Sequence, residues 1–314
     1  VRTRVLGKTG LVVSELSLGT WGLAGEAYGP VSEEDAEAVI RRALELGITL
    51  FDTADAYGAG RMEKLLGKVI GTRDDVIVAT RIGIDRSQDP PRKRFDHAWL
   101  RDAVERSARR MGKRVLPLVM LHNPSMQAMA MDEGPELLQT MVKEGVIKHW
   151  GVSAGDSAIA RMAIDKGADV VSLAYGLFHA VDVHRLSGEL MVSRTALLVH
   201  SVLAYGLLAG MWSRDRLFVA PDHRSERWTR PELEERIKNL DAVRFLVRDD
   251  VLTLRAAAVR FALANHVVSS TILGPRTVEQ LDQLVREAGG GPTYLPDQDL
   301  IALPRALAKI GVLS

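Results

Sequence analysis

The run Ser32-Glu33-Glu34-Asp35-Ala36-Glu37-Ala38-Val39-Ile40-Arg41-Arg42-Ala43-Leu44-Glu45-Leu46-Gly47-Ile48-Thr49-Leu50-Phe51 holds one complete helix-and-strand unit. Ser32 suits an N-cap, and Asp35 three residues on is a short form of the capping box. Ala36, Val39, Ile40, Ala43 and Leu44 then recur at helical spacing until Gly47 ends the helix. Ile48 to Phe51 is a short apolar run of the kind expected of a strand buried on both faces. Working outward, the same alternation continues in both directions. Leu16-Ser17-Leu18 runs into Gly19 upstream. Downstream come a helix over Met62 to Ile70, strand Val76 to Thr80, an Asp96-capped helix through Met111, and strand Leu118 to Leu121. A helix over Gly134 to Glu144 leads to strand His149 to Ser153, and a helix over Ser157 to Lys166 leads to strand Val170 to Leu173. The series closes with a helix near Val183 to Val192, strand Leu197 to His200, a helix over Val251 to Asn265, strand Ser270 to Leu273, and a helix over Val278 to Arg286.

About eight such units favour a closed (β/α)8 TIM barrel over an open doubly wound sheet. Three segments fall outside the repeat. Arg2 to Ser14 reads as a β-hairpin turning at Gly7-Lys8-Thr9-Gly10, and a hairpin that small needs a larger body to cover. Met211 to Leu240 reads as an insertion after the seventh strand, helical from Pro231 onward. Asp297 to Ile310 reads as an extra C-terminal helix. A single domain over residues 1–314 is expected, since barrels of this type use ~250 residues as one unit.

Composition narrows the function classes. Of the 314 residues, 46% are hydrophobic and 26% charged, a balance that rules out general disorder. The formal charge is +1, so nothing draws the chain to nucleic acid or to an acidic membrane surface. Cysteine is absent, which excludes disulfides, thiolate metal sites and cysteine nucleophiles. No apolar run approaches ~18 residues, and no secretory pattern opens the sequence, so a cytoplasmic protein without a membrane partner is expected. No histidine–carboxylate spacing suggests a metal.

In such barrels the chemistry gathers at the C-terminal ends of the strands. The polar residues there include Thr20, Asp52, Arg81, His122, Ser153, Ser172, His200 with Ser201, and Arg276. Tyr57 follows Asp52 closely. A tyrosine, a carboxylate, a cation and a histidine converging on one bowl suggest acid–base work on an oxygen. A free phenol has a pKa of ~10, and the expectation is that the adjacent cation lowers it while a buried carboxylate holds the cation. Trp21 and Tyr28 are expected to line a substrate pocket at the mouth. The basic loop Ile84 to Phe95, with Arg86, Arg92, Lys93 and Arg94, is either a solvated loop or an attractor of anions.

These residues resemble the aldo-keto reductases over nearly the whole chain. The resemblance rests on Leu6-Gly7-Lys8-Thr9-Gly10-Leu11-Val12-Val13-Ser14, on Leu18-Gly19-Thr20-Trp21, and above all on Phe51-Asp52-Thr53-Ala54-Asp55-Ala56-Tyr57-Gly58, followed by Glu63, Leu66 and Gly67. Leu121-His122-Asn123-Pro124, Gly151-Val152-Ser153, Leu203-Ala204-Tyr205-Gly206-Leu207-Leu208-Ala209-Gly210 and Gly274-Pro275-Arg276-Thr277-Val278-Glu279-Gln280-Leu281 extend it. It implies an NADP(H)-dependent reductase of an aldehyde or ketone, a small-molecule carbonyl substrate, and catalytic roles for Asp52, Tyr57, Arg81 and His122. It also implies a cofactor groove formed by Gly19, Thr20, Trp21, Ser153, Ser172, His200, Ser201, Leu203, Gly206, Gly274, Arg276 and Gln280, with Arg276 suited to a 2′-phosphate.

The sequence departs from that family's pattern around the nicotinamide. Arg81 stands where lysine is usual, Ala154 where asparagine follows the fifth-strand serine, Ser172 where glutamine is common, and His200 where an aromatic ring stacks. Val202, Met211 and Leu284 replace a proline, a lysine and an asparagine. Arginine is broad, planar and permanently charged, so it is not a conservative replacement for lysine. Two other functions therefore stand beside the reductase: a dinucleotide-binding sensor with little turnover, and a non-redox lyase or isomerase using Tyr57, Arg81 and His122.

Overall fold

The computed structural model describes residues 1–210, 212, 213 and 215–312. The expected alternation is present. β1 (Thr3–Val5) and β2 (Val12–Ser14) form an antiparallel hairpin, and β3 (Leu16–Gly19) opens the barrel. There follow α1 (Glu33–Glu45), β4 (Leu50–Ala54), α2 (Arg61–Ile70), β5 (Ile77–Ile82), the small antiparallel pair β6 (Ile84–Asp85) and β7 (Arg92–Lys93), then α3 (His97–Met111) and β8 (Leu116–His122). Next come α4 (Met126–Ala130), α5 (Glu133–Lys143), β9 (Ile147–Ser153), α6 (Ser157–Asp165), β10 (Val170–Ala174), α7 (Val181–Ser193) and β11 (Ala196–His200). The chain ends through α8 (Arg230–Asn239), α9 (Leu254–Ala264), β12 (Val268–Leu273), α10 (Val278–Glu287) and α11 (Asp297–Ala308). Strands β3, β4, β5, β8, β9, β10, β11 and β12 hydrogen-bond in parallel, in that order, and close on themselves.

The caps fall where short polar side chains precede apolar periodicity. Ser32 accepts from the Asp35 amide and Asp96 from the Trp99 amide. In the insertion, the Thr229 amide donates to the Glu232 carboxylate at 2.8 Å, which starts α8 one residue before the expected Pro231. Met211, the first residue of the expected insertion and one of the family departures, lies outside the described residues. The basic loop is solvated, with residues 86–94 exposed. It folds back as β6 and β7, and three of its four cations are engaged: Arg86 with Glu26, Arg94 with Asp85 and Asp96, and Lys93 with the Asn123 carbonyl.

Side chains on one strand alternate between barrel interior and helix layer, and register partners share a face. Leu50, Ile77, Ala79, Leu118, Met120, Val170, Ala196 and Leu198 form the apolar interior, and hairpin residues Leu6 and Val13 pack beneath them. The hairpin thus closes one end of the barrel. Gly7 takes φ +52°, and a Cβ there would lie 2.4 Å from the Arg194 carbonyl oxygen, so the turn seats directly on the backbone leading into β11. Removing the plug is costly. Leu6→Ala is expected to cost ~2–5 kcal/mol in urea unfolding, whereas Val12→Ala, at a position 61% exposed, stays within ~0.5 kcal/mol.

Candidate active site

Two residues further along five of the strands, the same inward face turns polar. Asp52 lies beyond Leu50, Arg81 beyond Ala79, His122 beyond Met120, Ser172 beyond Val170, and His200 beyond Leu198. Ser153 joins them as the register partner of both His122 and Ser172. The sequence periodicity therefore places these groups above an apolar floor, at the C-terminal rim.

Tyr57 reaches this layer from the turn after β4. Gly58, Ala59 and Gly60 have φ of 60°, 52° and 87°, so the chain coils back tightly before α2 begins. Arg81 bridges the two acidic neighbours. Its Nη2 lies 2.8 Å from Asp52 Oδ1, and its Nη1 donates to the Tyr57 hydroxyl at 3.3 Å. The guanidinium is shared between carboxylate and phenol rather than locked two-pronged onto Asp52. The His122 ring meets the Tyr57 ring edge-on, with centroids 6.0 Å apart.

Electrostatics here are set first by burial. Tyr57 is pushed up to about 12 because desolvation outweighs the pull of Arg81. This corrects the expectation of an acidified phenol: the cation moderates the rise but does not reverse it. Asp52 is pushed up to about 6 by burial, with Arg81 opposing. Burial also works against the Arg81 charge, yet Asp52 and Tyr57 raise it further, so at neutral pH both members of the pair remain ionised. His122 and His200 are each driven down to about 3 by burial and by Arg81, and both are neutral at physiological pH. His200 Nδ1 pairs with Ser201 Oγ at 3.0 Å.

The remaining expected site residues divide into groups. The Thr20 hydroxyl is spent on the Asp52 carbonyl at 3.1 Å and on Thr53 at 2.9 Å, so it ties β3 to β4 and is fully buried. Gly19 lies against Ile272 and Leu273, where a Cβ would come within 2.8 Å of Ile272. Gly274 sits over the Gly19 carbonyl. Arg276 donates through Nη2 to the Gly29 and Pro30 carbonyls at 2.9 and 3.0 Å, and its amide donates to Gln280 Oε1 at 2.9 Å. Leu203 begins the turn that carries Ala204 and Tyr205 at φ 48° and 61°, and Gly206 lies against the Arg224 guanidinium. Among the described residues, no group of three or more His, Asp or Glu side chains is arranged to hold a metal. No helix of the described residues is long and apolar enough to cross a membrane.

Trp21 and Tyr28, the residues expected at the mouth, are joined by His223 and Arg224 of the insertion, which sequence reading did not single out. Trp21, Tyr28 and His223 form a three-ring cluster with centroids 4.9–5.3 Å apart. The Arg224 guanidinium lies 4.3 Å from the Phe218 ring centre and 4.8 Å from that of Tyr28, while its Nη2 meets Asp222 at 2.6 Å. The His223 amide donates to the Ala27 carbonyl at 2.8 Å, joining the insertion to the loop after β3. The abundance of tryptophan and arginine in the insertion was the available signal. The pairing of Trp21 and Tyr28 with side chains nearly two hundred residues away left no local pattern.

Removing the anion from this centre has a direct energetic consequence. Asp52→Ala leaves a buried guanidinium without its carboxylate and is expected to cost ~3–5 kcal/mol in denaturant unfolding.

Comparison with known proteins agrees with this fold. The model of the Aldo/keto reductase family matches residues 15–288. The chain is 28% identical over 293 residues to the aldo-keto reductase YhdN of Bacillus subtilis, covering 90% of this chain and 87% of that one. It is 27% identical over 322 residues to the pyridoxal 4-dehydrogenase of Microbacterium luteolum, covering 90% and 91%. Among solved structures, the glycerol dehydrogenase AKR11B4 of Gluconobacter oxydans superposes with a TM-score of 0.84 at 25% identity, covering 98% and 95%. The fold is also that of the aldo-keto reductase AKR11C1 of Bacillus halodurans in its holo form, with a TM-score of 0.81 at 22% identity over 97% and 96%. The chain belongs to the aldo/keto reductase family, whose members are oxidoreductases of carbonyls and alcohols.

Proposed function

We propose that the protein is an NADP-dependent reductase of small aldehydes or ketones, with Tyr57 as proton donor and Arg81 in the place usually held by lysine. The observation that carries this reading is the Arg81 guanidinium set between Asp52 and the Tyr57 hydroxyl, at the closed end of a polar cup.

The residues present fit a dinucleotide. Arg81 Nε, His122 Nδ1 and Ser172 Oγ are buried without hydrogen-bond partners among the described residues, and Arg276 Nε is likewise bare. Such groups call for polar partners. Ser153 and Ser172 would face the ring amide of the nicotinamide, and Arg276, with the first turn of α10, would face the adenosine phosphate. When bound, the reduced nicotinamide supplies a hydride to the carbonyl carbon. Tyr57 keeps its proton up to about 12, so it meets the carbonyl oxygen as a neutral donor. Arg81 then stabilises the phenolate left behind, and Asp52 keeps that guanidinium in place. Neutral His122 orients the oxygen through a ring nitrogen. General acid catalysis of this type contributes ~10²–10⁴ in rate.

Ala154 and Ser172 supply less reach than the amides that the family pattern places there, which favours a second reading, a dinucleotide sensor. Turnover with NADPH separates the two.

Three outcomes test the reductase. Tyr57→Phe is expected to lower carbonyl reduction ~10²–10⁴-fold while leaving NADPH binding, followed by fluorescence, unchanged. Unaltered turnover would remove the phenol from the chemistry. Arg81→Lys is expected to raise turnover, because the compact ammonium reaches both neighbours without filling the cup. A rate equal to or below that of the parent would show that arginine is the better cation here. The pH profile follows from Asp52. The active form needs its carboxylate ionised, so kcat/KM is expected to fall as pH drops through about 6 and to stay flat above neutrality. Asp52→Asn should abolish the acidic limb.

A further inference from the structure

Outside the cup, a second polar cluster lies in the helix layer directly behind it. Thr80 precedes Arg81 on β5 and points the opposite way, toward α2. Its hydroxyl donates to Glu63 Oε1 at 2.6 Å. Glu63 is fully buried, a setting that a carboxylate tolerates only when paired. Its partner is Arg110 of α3. Arg110 Nε and Nη2 both meet Glu63 Oε2 at 2.6 Å, and Nη2 also donates to Ser107 Oγ at 3.1 Å.

The same arginine bears on the turn that carries Tyr57. Gly60 lies flat against it, and a Cβ on Gly60 would fall 2.5 Å from Arg110 Cδ and 2.6 Å from its Nε. The turn is held at its other end by Asp55, whose amide donates to the Arg81 carbonyl at 3.0 Å. Burial and the nearby Glu63 push the Asp55 carboxyl up to about 7, while Arg110 and Arg106 oppose that rise. Three successive residues of this turn sit in the left-handed region, two of them glycine and one alanine. Such a backbone persists only where its surroundings hold it.

The geometry points to Arg110 as a positioning residue for the Tyr57–Arg81 pair. Through Glu63 and Thr80 it fixes the end of β5 from which Arg81 projects, and through Gly60 it fixes the exit of the turn from which Tyr57 projects. Arg110 touches neither reacting group. This role rests on the proposed acid chemistry of Tyr57, but the backbone order that Arg110 imposes does not, so the two can fail separately.

The test compares Arg110→Met, which keeps the length of the side chain and removes its donors, with Arg110→Lys, which restores a cation. Steady-state reduction, nucleotide affinity by fluorescence and amide hydrogen exchange are measured on the full chain. A displacement of ~1 Å at a reacting group costs ~10² in rate. Arg110→Met is therefore expected to lower kcat by about that factor, with KM and nucleotide affinity changing less than about twofold. Arg110→Lys recovers most of the loss. Exchange at residues 57–61 accelerates, while the barrel strands stay protected. Should Arg110→Met not fold, Thr80→Val, which cuts the link between β5 and Glu63, is expected to give the same split between kcat and KM. The assignment is overturned by an unchanged kcat, by a loss that lysine does not recover, by an equal loss of nucleotide affinity, or by exchange that rises across the whole barrel. If the parent protein reduces no carbonyl, the exchange comparison alone decides. Faster exchange confined to 57–61 supports the role of Arg110 even as the reductase reading falls, and unchanged exchange overturns it.

Discussion

A permanently charged guanidinium buried above the apolar floor of the barrel is the constraint around which this molecule is organised. Arg81 is 6% exposed and cannot shed its proton, so the fold has to supply an anion at a fixed place. Asp52 is that anion, one strand away and on the same inward face. The cost of taking both charges out of water appears in the raised carboxyl of Asp52. The two histidines that share the cup respond to the same cation. Both are held neutral, so the polar layer contains one ion pair, one neutral phenol and two neutral imidazoles.

Burial and charge act against one another at Tyr57. A cation beside a phenol lowers its pKa in water, but a phenol that has lost its water is raised. Here the second effect is the larger. In the proposed chemistry the phenol is thus a donor that holds its proton until the oxygen opposite takes up negative charge. In that proposal Arg81 acts on the state that follows proton transfer and does little to ionise the resting phenol. Electrostatic support of a charge that appears only during the reaction is the more effective arrangement for rate.

The barrel was readable because parallel strands buried on both faces leave continuous apolar runs, and because Ser32 and Asp96 mark helix starts with side chains that cap them. The inward polar ring was readable as well, since a period of two carries Leu50 to Asp52 and Ala79 to Arg81. The β6–β7 hairpin was not, because Arg92 and Lys93 are exposed and charged and show no strand pattern. The sign of the Tyr57 shift was hidden because sequence shows the neighbouring cation but not the missing water. The arrangement of Arg276 on the Gly29 and Pro30 carbonyls, and of His223 on Trp21 and Tyr28, depends on contacts across most of the chain, for which local pattern holds no trace.

The N-terminal hairpin has an effect that reaches past stability. With Leu6 and Val13 packed beneath the apolar interior, that end of the barrel is stoppered by side chains that offer no polar partner. The inward polar layer around Arg81 and Asp52 therefore faces only the opposite rim, and the stopper sets the direction of that face without touching it.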